Sequence, residues 1–276
     1  MPRPLLRIAA FTAAGITALA ATLGGIGAAA VAALPFAAGL VPLELSHVVV
    51  TDGRRQVEMV GMAHVAVPGF YREVAGIVAA RRKAGWLVFY EEVRPDVDDR
   101  GAALAEVLRT LGADWTPGGN QHPYELMAPM LGEDLVLQDN RAILGAPGPE
   151  LRNVDLTLSQ LLKALAASPP APDDSGLDIA GARRMFDAAP PWVQRRVRAA
   201  FRILLAGAAS SELARTHLPE AVMATREKLV AEAILSEPGR NILILYGQAH
   251  LDGIRKRLAA GGRGWSLVSE DRLRAF

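Results

Sequence analysis

The sequence predicts an α/β fold: a central mixed sheet flanked by helices, with a helical insertion in the middle and a hydrophobic anchor at the amino terminus. Three observations predict it. An Asp-Gly pair joins two β-branched runs near the start of the polar part of the chain, strand-then-helix order follows it and returns near the carboxyl terminus, and the pattern Gly-x-x-His occurs twice. The two copies, Gly61-Met62-Ala63-His64 and Gly247-Gln248-Ala249-His250, stand 186 positions apart, each between an apolar run and a helix-like stretch. A strand that ends in a small residue and delivers a His just before a helix puts an imidazole at the carboxyl edge of a sheet, where open α/β folds build their sites. Two such deliveries point to one shared site.

The chain has 276 residues, 51% of them hydrophobic, enough to bury one large core with or without an extension. Net charge is +1 and no basic stripe is interleaved with aromatics, so no nucleic-acid partner is expected. Cysteine is absent. That excludes disulfides, thiolate metal sites and a Cys nucleophile, and any metal must be held by His and carboxylate.

Residues 1–43 stand apart from the α/β domain of residues 44–276. From Ile8 to Leu43 there are 36 residues without a charge, preceded by Arg3 and Arg7 and closed by Glu44. This run exceeds both the ~7–15-residue core of a signal peptide and the ~20 residues that span a bilayer. The preferred reading is one transmembrane helix with a small-residue neck, anchoring an extracytoplasmic domain to the membrane. Gly24-Gly25 and Pro35 also fit a two-span hairpin that returns the domain to the cytoplasm, and a cleaved signal would give a secreted protein.

Ser46 to Thr51, Asp52-Gly53 and Gln56 to Met62 read as a hairpin, since Asp-Gly supplies the positive φ angles of a tight turn. Pro68 opens a helix to about Ala84, with Phe70, Val74, Ile77 and Val78 on one face and Gly85 as a left-handed cap. Trp86 to Tyr90 is a buried strand ending in Glu91-Glu92. The middle holds a helix at Gly101 to Leu111, a short strand at Leu135 to Gln138 and an amphipathic helix at Leu156 to Ala167. Ser168 to Ser175 is a proline-rich loop, and Asp178 to Ala214 is two helices broken at Pro190-Pro191. The helical insertion therefore covers about residues 150–217. Its Arg183, Arg184, Arg195, Arg196, Arg198 and Arg202 read as solvated faces, with acidic lipid as the weaker alternative. Pro219 then starts a helix to about Ser236, Asn241 to Tyr246 is a buried strand, a helix reaches about Ala260, and a last strand lies near Trp265 to Val268.

One residue of the penultimate helix is out of place. At about 100° per residue, Val222, Met223, Leu229, Val230, Ala233 and Ile234 share an apolar face, while Thr225, Glu227, Lys228 and Glu232 lie off it. Arg226 falls near the centre of that face. A buried guanidinium without a partner costs several kcal/mol, so a carboxylate of the protein or of a ligand must stand opposite unless the side chain snorkels to water.

The ordered set of Gly-x-x-His, a Glu after the next buried strand, an Arg in a helix before the last core strand, and a second Gly-x-x-His resembles the TraB/PrgY/GumN family, which includes the Tiki proteases. The resemblance spans about Val48 to Leu267, and Asn153-Val154-Asp155-Leu156-Thr157 is similar to an Asn-Ala-Asp-Leu-Thr-like stretch of bacterial members. It implies a fold shared with ChaN and erythromycin-esterase-like (EreA) proteins and, in the Tiki branch, a membrane-tethered metalloprotease using manganese or cobalt, with zinc possible as a substitute. On this resemblance His64, Glu91 and His250 are the metal-site candidates, with Glu91 also catalytic and Arg226 assisting. Glu92 is carried beside Glu91, because strand alternation sends the two carboxylates to opposite faces. The chain departs from the pattern at Gln248-Ala249, where an Ala-Gly-like pair is expected.

Two imidazoles and one carboxylate match a catalytic divalent site that keeps open positions for water. Arg226 would then bind a substrate carboxylate or stabilise an oxyanion. No His-Glu-x-x-His helix motif and no Gly-x-Ser-x-Gly elbow exist, so neither a zincin nor a serine hydrolase is expected. His47, His122 and His217 read as structural or exposed. The functional expectation is a metal-dependent hydrolase, a peptidase acting on a peptide or small-molecule substrate. The alternative is a non-catalytic peptide-binding or signal-modulating protein of the pheromone-shutdown type.

Overall fold

The computed structural model of the protein describes residues 42–98, 100–110, 113–114, 128–166, 177–209 and 220–276. Its strands are β1 (Glu44–Thr51), β2 (Gln56–Met62), β3 (Val65–Ala66), β4 (Leu87–Tyr90), β5 (Ala113–Asp114), β6 (Val136–Leu137), β7 (Leu151–Asn153), β8 (Leu177–Asp178), β9 (Ile242–Gly247) and β10 (Ser266–Arg274). Its helices are α1 (Pro68–Lys83), α2 (Arg100–Thr110), α3 (Asn140–Leu144), α4 (Leu158–Ala166), α5 (Ile179–Ala188), α6 (Pro191–Ala209), α7 (Glu220–Ser236) and α8 (Leu251–Ala260). Six strands form one mixed sheet in the order β10-β1-β2-β9-β4-β7. The α/β class with a mixed sheet flanked by helices is therefore as predicted.

The hairpin strands β1 and β2 are antiparallel, and β10 joins β1 antiparallel. Beyond β2 every pairing is parallel, so β2, β9, β4 and β7 point their carboxyl ends the same way. The hairpin loop is wider than the expected tight turn. Thr51 pairs with Gln56, which leaves four residues between them, and of these Gly53 alone has a positive φ, of 80°. The Asp52 carboxylate accepts from the amides of Arg54 at 3.0 Å and Arg55 at 3.1 Å, folding an Asx turn in place of a two-residue turn.

Strand alternation sorts the core into two layers. On one face Val60, Val88, Leu243 and Leu245 pack with Phe70, Val74 and Val78 of α1 and with Ile143 and Leu144 of α3. On the other, Met59, Leu87, Phe89, Ile242, Ile244 and Tyr246 pack with Val230 and Ile234 of α7 and Ile254 and Leu258 of α8. Each such aliphatic or aromatic side chain taken fully from water contributes about 1.5–3 kcal/mol before chain entropy is set against it. Pro68 opens α1 and Gly85, at φ 78°, lets the chain leave it, both as expected.

Several sequence expectations need correction. The insertion does not begin at residue 150: Leu151–Asn153 is the edge strand β7 of the main sheet, and the amphipathic helix starts only at Leu158. Two arginines expected on solvated faces instead tie α6 down. Arg198 bonds the Pro129 carbonyl at 3.0 Å and pairs with Glu133, while Arg202 bonds the Leu131 carbonyl at 3.3 Å and pairs with Asp134. The last strand is nine residues long and forms a sheet edge. Finally, against the expected transmembrane helix, no helix among the described residues is long and apolar enough to cross a membrane. Residues 8–41 of the apolar run, like His122 and His217, lie outside the described residues.

One buried carboxylate supports the sheet away from its carboxyl edge. Glu58 of β2 is fully buried, 2.7 Å from His47 Nε2 and paired with Arg81 of α1. Burial pushes its pKa up, but His47 and Arg81 outweigh that and leave it below the ordinary 4.5. A carboxyl lowered in the folded state adds stability that is complete above its unfolded value and lost as pH falls through the folded one. Urea titrations should therefore show the wild-type advantage over Glu58→Gln to be full at pH 6 and to shrink steadily below the ordinary value. An advantage independent of pH would refute this assignment.

Candidate active site

The carboxyl ends of the four parallel strands each deliver a polar residue to one edge of the sheet. β2 leads into His64, β4 into Glu91, β7 into Asp155, and β9 through a single 3-10 turn, Gln248–His250, into His250. Parallel strands end at a common edge, so residues remote in sequence meet there.

His64 is anchored through its backbone. Its carbonyl accepts from the Gln138 amide at 2.9 Å, and β3 just beyond pairs with β6. The side chain is exposed, yet enough protein surrounds the ring that its pKa falls below 6.5. Burial is the main cause and Arg226 adds to it, while Glu91 and Asp155 act in the opposite direction. A neutral imidazole at pH 7 can take a proton or give a lone pair to a metal.

Glu91 continues the ladder of β4, its amide donating to the Leu245 carbonyl at 3.1 Å. Its side chain is 12% exposed and turns to the face shared with Leu87 and Phe89, towards α7. Oε1 lies 2.8 Å from Arg226 Nη1, and Oε2 accepts from the Gly247 amide. Burial alone would raise its pKa, but Arg226, His250, His64 and the Gly247 N–H together hold it below the ordinary value. Glu91 is therefore ionised at neutral pH. Glu92 goes the other way: it is exposed, and its Oε2 accepts from Asn140 Nδ2 at 2.9 Å.

Arg226 does face carboxylates, as its helix position demanded. Nε and Nη2 donate to the two oxygens of Asp155 at 2.8 and 2.6 Å, a bidentate pair, and Nη1 reaches Glu91. Asp155 is fully buried; it also accepts from the Leu156 amide at 2.7 Å and from the Tyr246 hydroxyl at 3.4 Å. Burial raises the Asp155 pKa and the neighbouring Glu91 charge adds to it, outweighing the bonds from Arg226 and Leu156. One guanidinium between two carboxylates leaves the group net negative when all three are ionised.

His250 is 3% exposed, its ring edge-on to Tyr246 with centroids 5.3 Å apart. Nδ1 stands 4.0 Å from Oε1 of Glu227, the residue after Arg226 on α7. Glu227 is itself buried, contrary to the helical phase read from sequence.

Both motif glycines make room for neighbours. A Cβ on Gly247 would lie 3.1 Å from Glu91 Oε2 and 3.6 Å from His250 Cδ2, so Glu91 and His250 converge over bare backbone. A Cβ on Gly61 would lie 2.0 Å from Gln248 Oε1. Gln248, the departure from the family-like pattern, takes no part in the cleft. It accepts from the Ser46 amide at 2.8 Å and donates to the Ser46 hydroxyl at 3.0 Å, latching the second motif to β1.

Four of the residues singled out from sequence thus gather at one edge, and Glu92 does not join them. In donor type His64, Glu91 and His250 suit a divalent ion. As arranged, no group of three or more His, Asp or Glu side chains among the described residues is spaced to hold one, since the Glu91 oxygens face Arg226 and Gly247. Sequence reading missed Asp155 and Glu227 as members of the cluster. Asp155 lay in the one stretch already noted as family-like, and Glu227 directly follows the anomalous Arg226. Comparison with known proteins returned no match: no family model, curated protein or solved structure is detectably similar to the chain.

Proposed function

We propose that the protein is a hydrolase of the TraB/PrgY/GumN type, a peptidase whose reaction centre lies at the carboxyl edge of β2, β9 and β4. The observation that carries this reading is the convergence of Glu91 and His250 over Gly247, beside a neutral His64 that solvent reaches. A net negative group flanked by two imidazoles attracts a divalent cation, manganese or cobalt on the family resemblance. By donor type His64, Glu91 and His250 are the side chains that would hold it, on condition that Glu91 gives up its contacts with Arg226 and Gly247. When bound, such an ion supplies a Lewis acid and lowers the pKa of its water towards neutrality.

The chain's own residues set the rest. Arg226 keeps Glu91 ionised and fixes its carboxylate; His64, its pKa lowered by burial, stays neutral at pH 7. Arg226 is a positioning residue in this scheme rather than an oxyanion holder, because its Nε, Nη1 and Nη2 are already directed at Asp155 and Glu91. The same engagement weighs against the non-catalytic alternative, in which Arg226 grips a peptide carboxylate.

The test is made on the full chain, stripped with chelator and titrated with Mn²⁺, Co²⁺ and Zn²⁺, then incubated with a peptide library read by mass spectrometry. Near-stoichiometric binding and metal-restored cleavage are expected, both lost in His64→Ala and His250→Ala. A wild-type protein that binds none of the three ions and cleaves nothing would overturn the proposal.

A further inference from the structure

Strand β10 closes one side of the main sheet, and among the described residues no strand pairs with its outer edge. Such an edge carries a row of unpaired N–H and C=O groups, which folded proteins ordinarily protect with charged side chains. β10 is protected over only part of its length. From Glu270 to Arg274 four of the five residues are charged, whereas Ser266 to Ser269 carries no charge. In that uncharged part Leu267 and Val268 are 53% and 51% exposed, two adjacent aliphatic side chains left in water.

Beside this segment a cleft of about 440 Å³ opens between α8 and the sheet edge. Val50, Leu258 and Leu267 give it an apolar lining. Asp252, Arg255, Lys256 and Ala259 follow one another at the i, i+3, i+4, i+7 spacing, so one face of α8 forms a wall. That wall holds two cations and one carboxylate. Arg255 is shared between Asp252 at 3.9 Å and Glu270 at 3.6 Å, while Lys256 is exposed and pairs with no carboxylate of the described residues. The cleft is remote from the reaction centre. Ser266 pairs with Thr51 and Thr51 with Gln56, which places it at the hairpin end of the sheet, opposite the carboxyl ends of β2, β9 and β4.

Three features therefore meet at one place: open main-chain groups, an apolar hollow and an uncompensated cation. A polypeptide answers all three at once. Its main chain can add to the strand edge, an apolar side chain can enter the hollow, and a carboxylate two residues away, on the same side of the added strand, can face Lys256. A second copy of this chain suits the edge less well. Val268 is one residue more than β1 can match, and a bulge of this kind keeps a long sheet from continuing across an edge.

We propose that the β10 edge from Ser266 to Ser269, with the cleft beside α8, docks a short extended peptide that carries an apolar residue and, two positions away, an acidic one. This site is independent of the hydrolase reading.

The test titrates the full chain against fluorescein-labelled heptapeptides Ser-Thr-X-Thr-Z-Thr-Ser, in which X is Leu, Val, Ile or Phe and Z is Glu or Asp, in either order. Anisotropy reports binding and hydrogen exchange locates it. Slowed exchange is expected at Ser266–Ser269. It should be lost when Z is Lys, and when the threonines beside X are replaced by proline, which has no N–H to donate. Lys256→Glu should weaken binding about three- to tenfold, since an exposed pair is lost and a comparable repulsion gained. Leu267→Asp should abolish binding; both side chains are exposed, so neither change threatens the fold. No protection at β10 with any peptide of the set would overturn the proposal. So would protection confined to the strand ends around His64 and His250, which would assign the peptides to the reaction centre, or a dimer in sedimentation that Leu267→Asp disperses. Binding at β10 that survives chelation, in a protein that cleaves nothing and holds no metal, would uphold this site while the hydrolase reading fails.

Discussion

Arg226→Ala should lower the unfolding free energy by about 3–5 kcal/mol, the cost of removing one partner from a buried ion pair. The effect is large because two carboxylates depend on the same guanidinium. Asp155 is fully buried and loses a bidentate partner, and Glu91, at 12% exposure, loses its countercharge. Asp155, with no exposure, has no solvent to replace that partner. The expected response is for Asp155, already raised by burial, to take up a proton, so the loss should be smaller near pH 4 than at pH 7. Arg226→Lys separates charge from geometry: an ammonium restores the countercharge but cannot serve both oxygens of Asp155 and Glu91 in one plane. Chemical denaturation should place it between wild type and Arg226→Ala. Equal stability of Arg226→Ala and wild type would mean that the triad is not formed in solution.

That Arg226 would need such partners was legible from its position in an apolar helix, whereas their identity was not. The sequence signal came from the helix as a repeating pattern, and α7 breaks the assumption behind it. It packs against the sheet, α8 and α4 at once, so Val222, Met223, Val230, Ala231 and Ile234 are buried on more than one side and no single stripe marks the inward direction. Glu227 was placed outside for that reason and is buried. Strand β7 was missed for a different one. Leu151-Arg152-Asn153 is three residues long and lacks a β-branched run, and it is a strand because β4 beside it offers a free edge. With β7 unseen, Asp155 could not be recognised as the fourth delivery to the sheet edge. The two Gly-x-x-His motifs were readable because each is a local feature, an apolar strand stopping at a small residue. What each glycine is for could be learned only in three dimensions: Gly61 clears Gln248 of the other motif, and Gly247 clears Glu91 from another strand.

Glu91→Gln should separate chemistry from stability in the opposite sense to Arg226→Ala. Neutralising Glu91 removes one of two negative charges from the triad, so Arg226 and Asp155 are left as a balanced pair and the like-charge pressure on Asp155 is relieved. The amide keeps the shape of the carboxylate, but its single oxygen can accept from the Gly247 amide or face Arg226, and not both. One weakened buried contact costs about 1–2 kcal/mol, partly offset by the relief at Asp155, so unfolding free energy should stay within about 2 kcal/mol of wild type. Hydrolysis should fall roughly 10²–10⁴-fold, the range for losing a positioned acid–base group, and more if the carboxylate holds an ion. Metal binding, measured beside turnover, tells these two roles apart: a ligand loses both, while a proton acceptor loses turnover and keeps the ion. Retained hydrolysis in a stable Glu91→Gln would remove Glu91 from the reaction centre and leave it as a structural partner of Arg226.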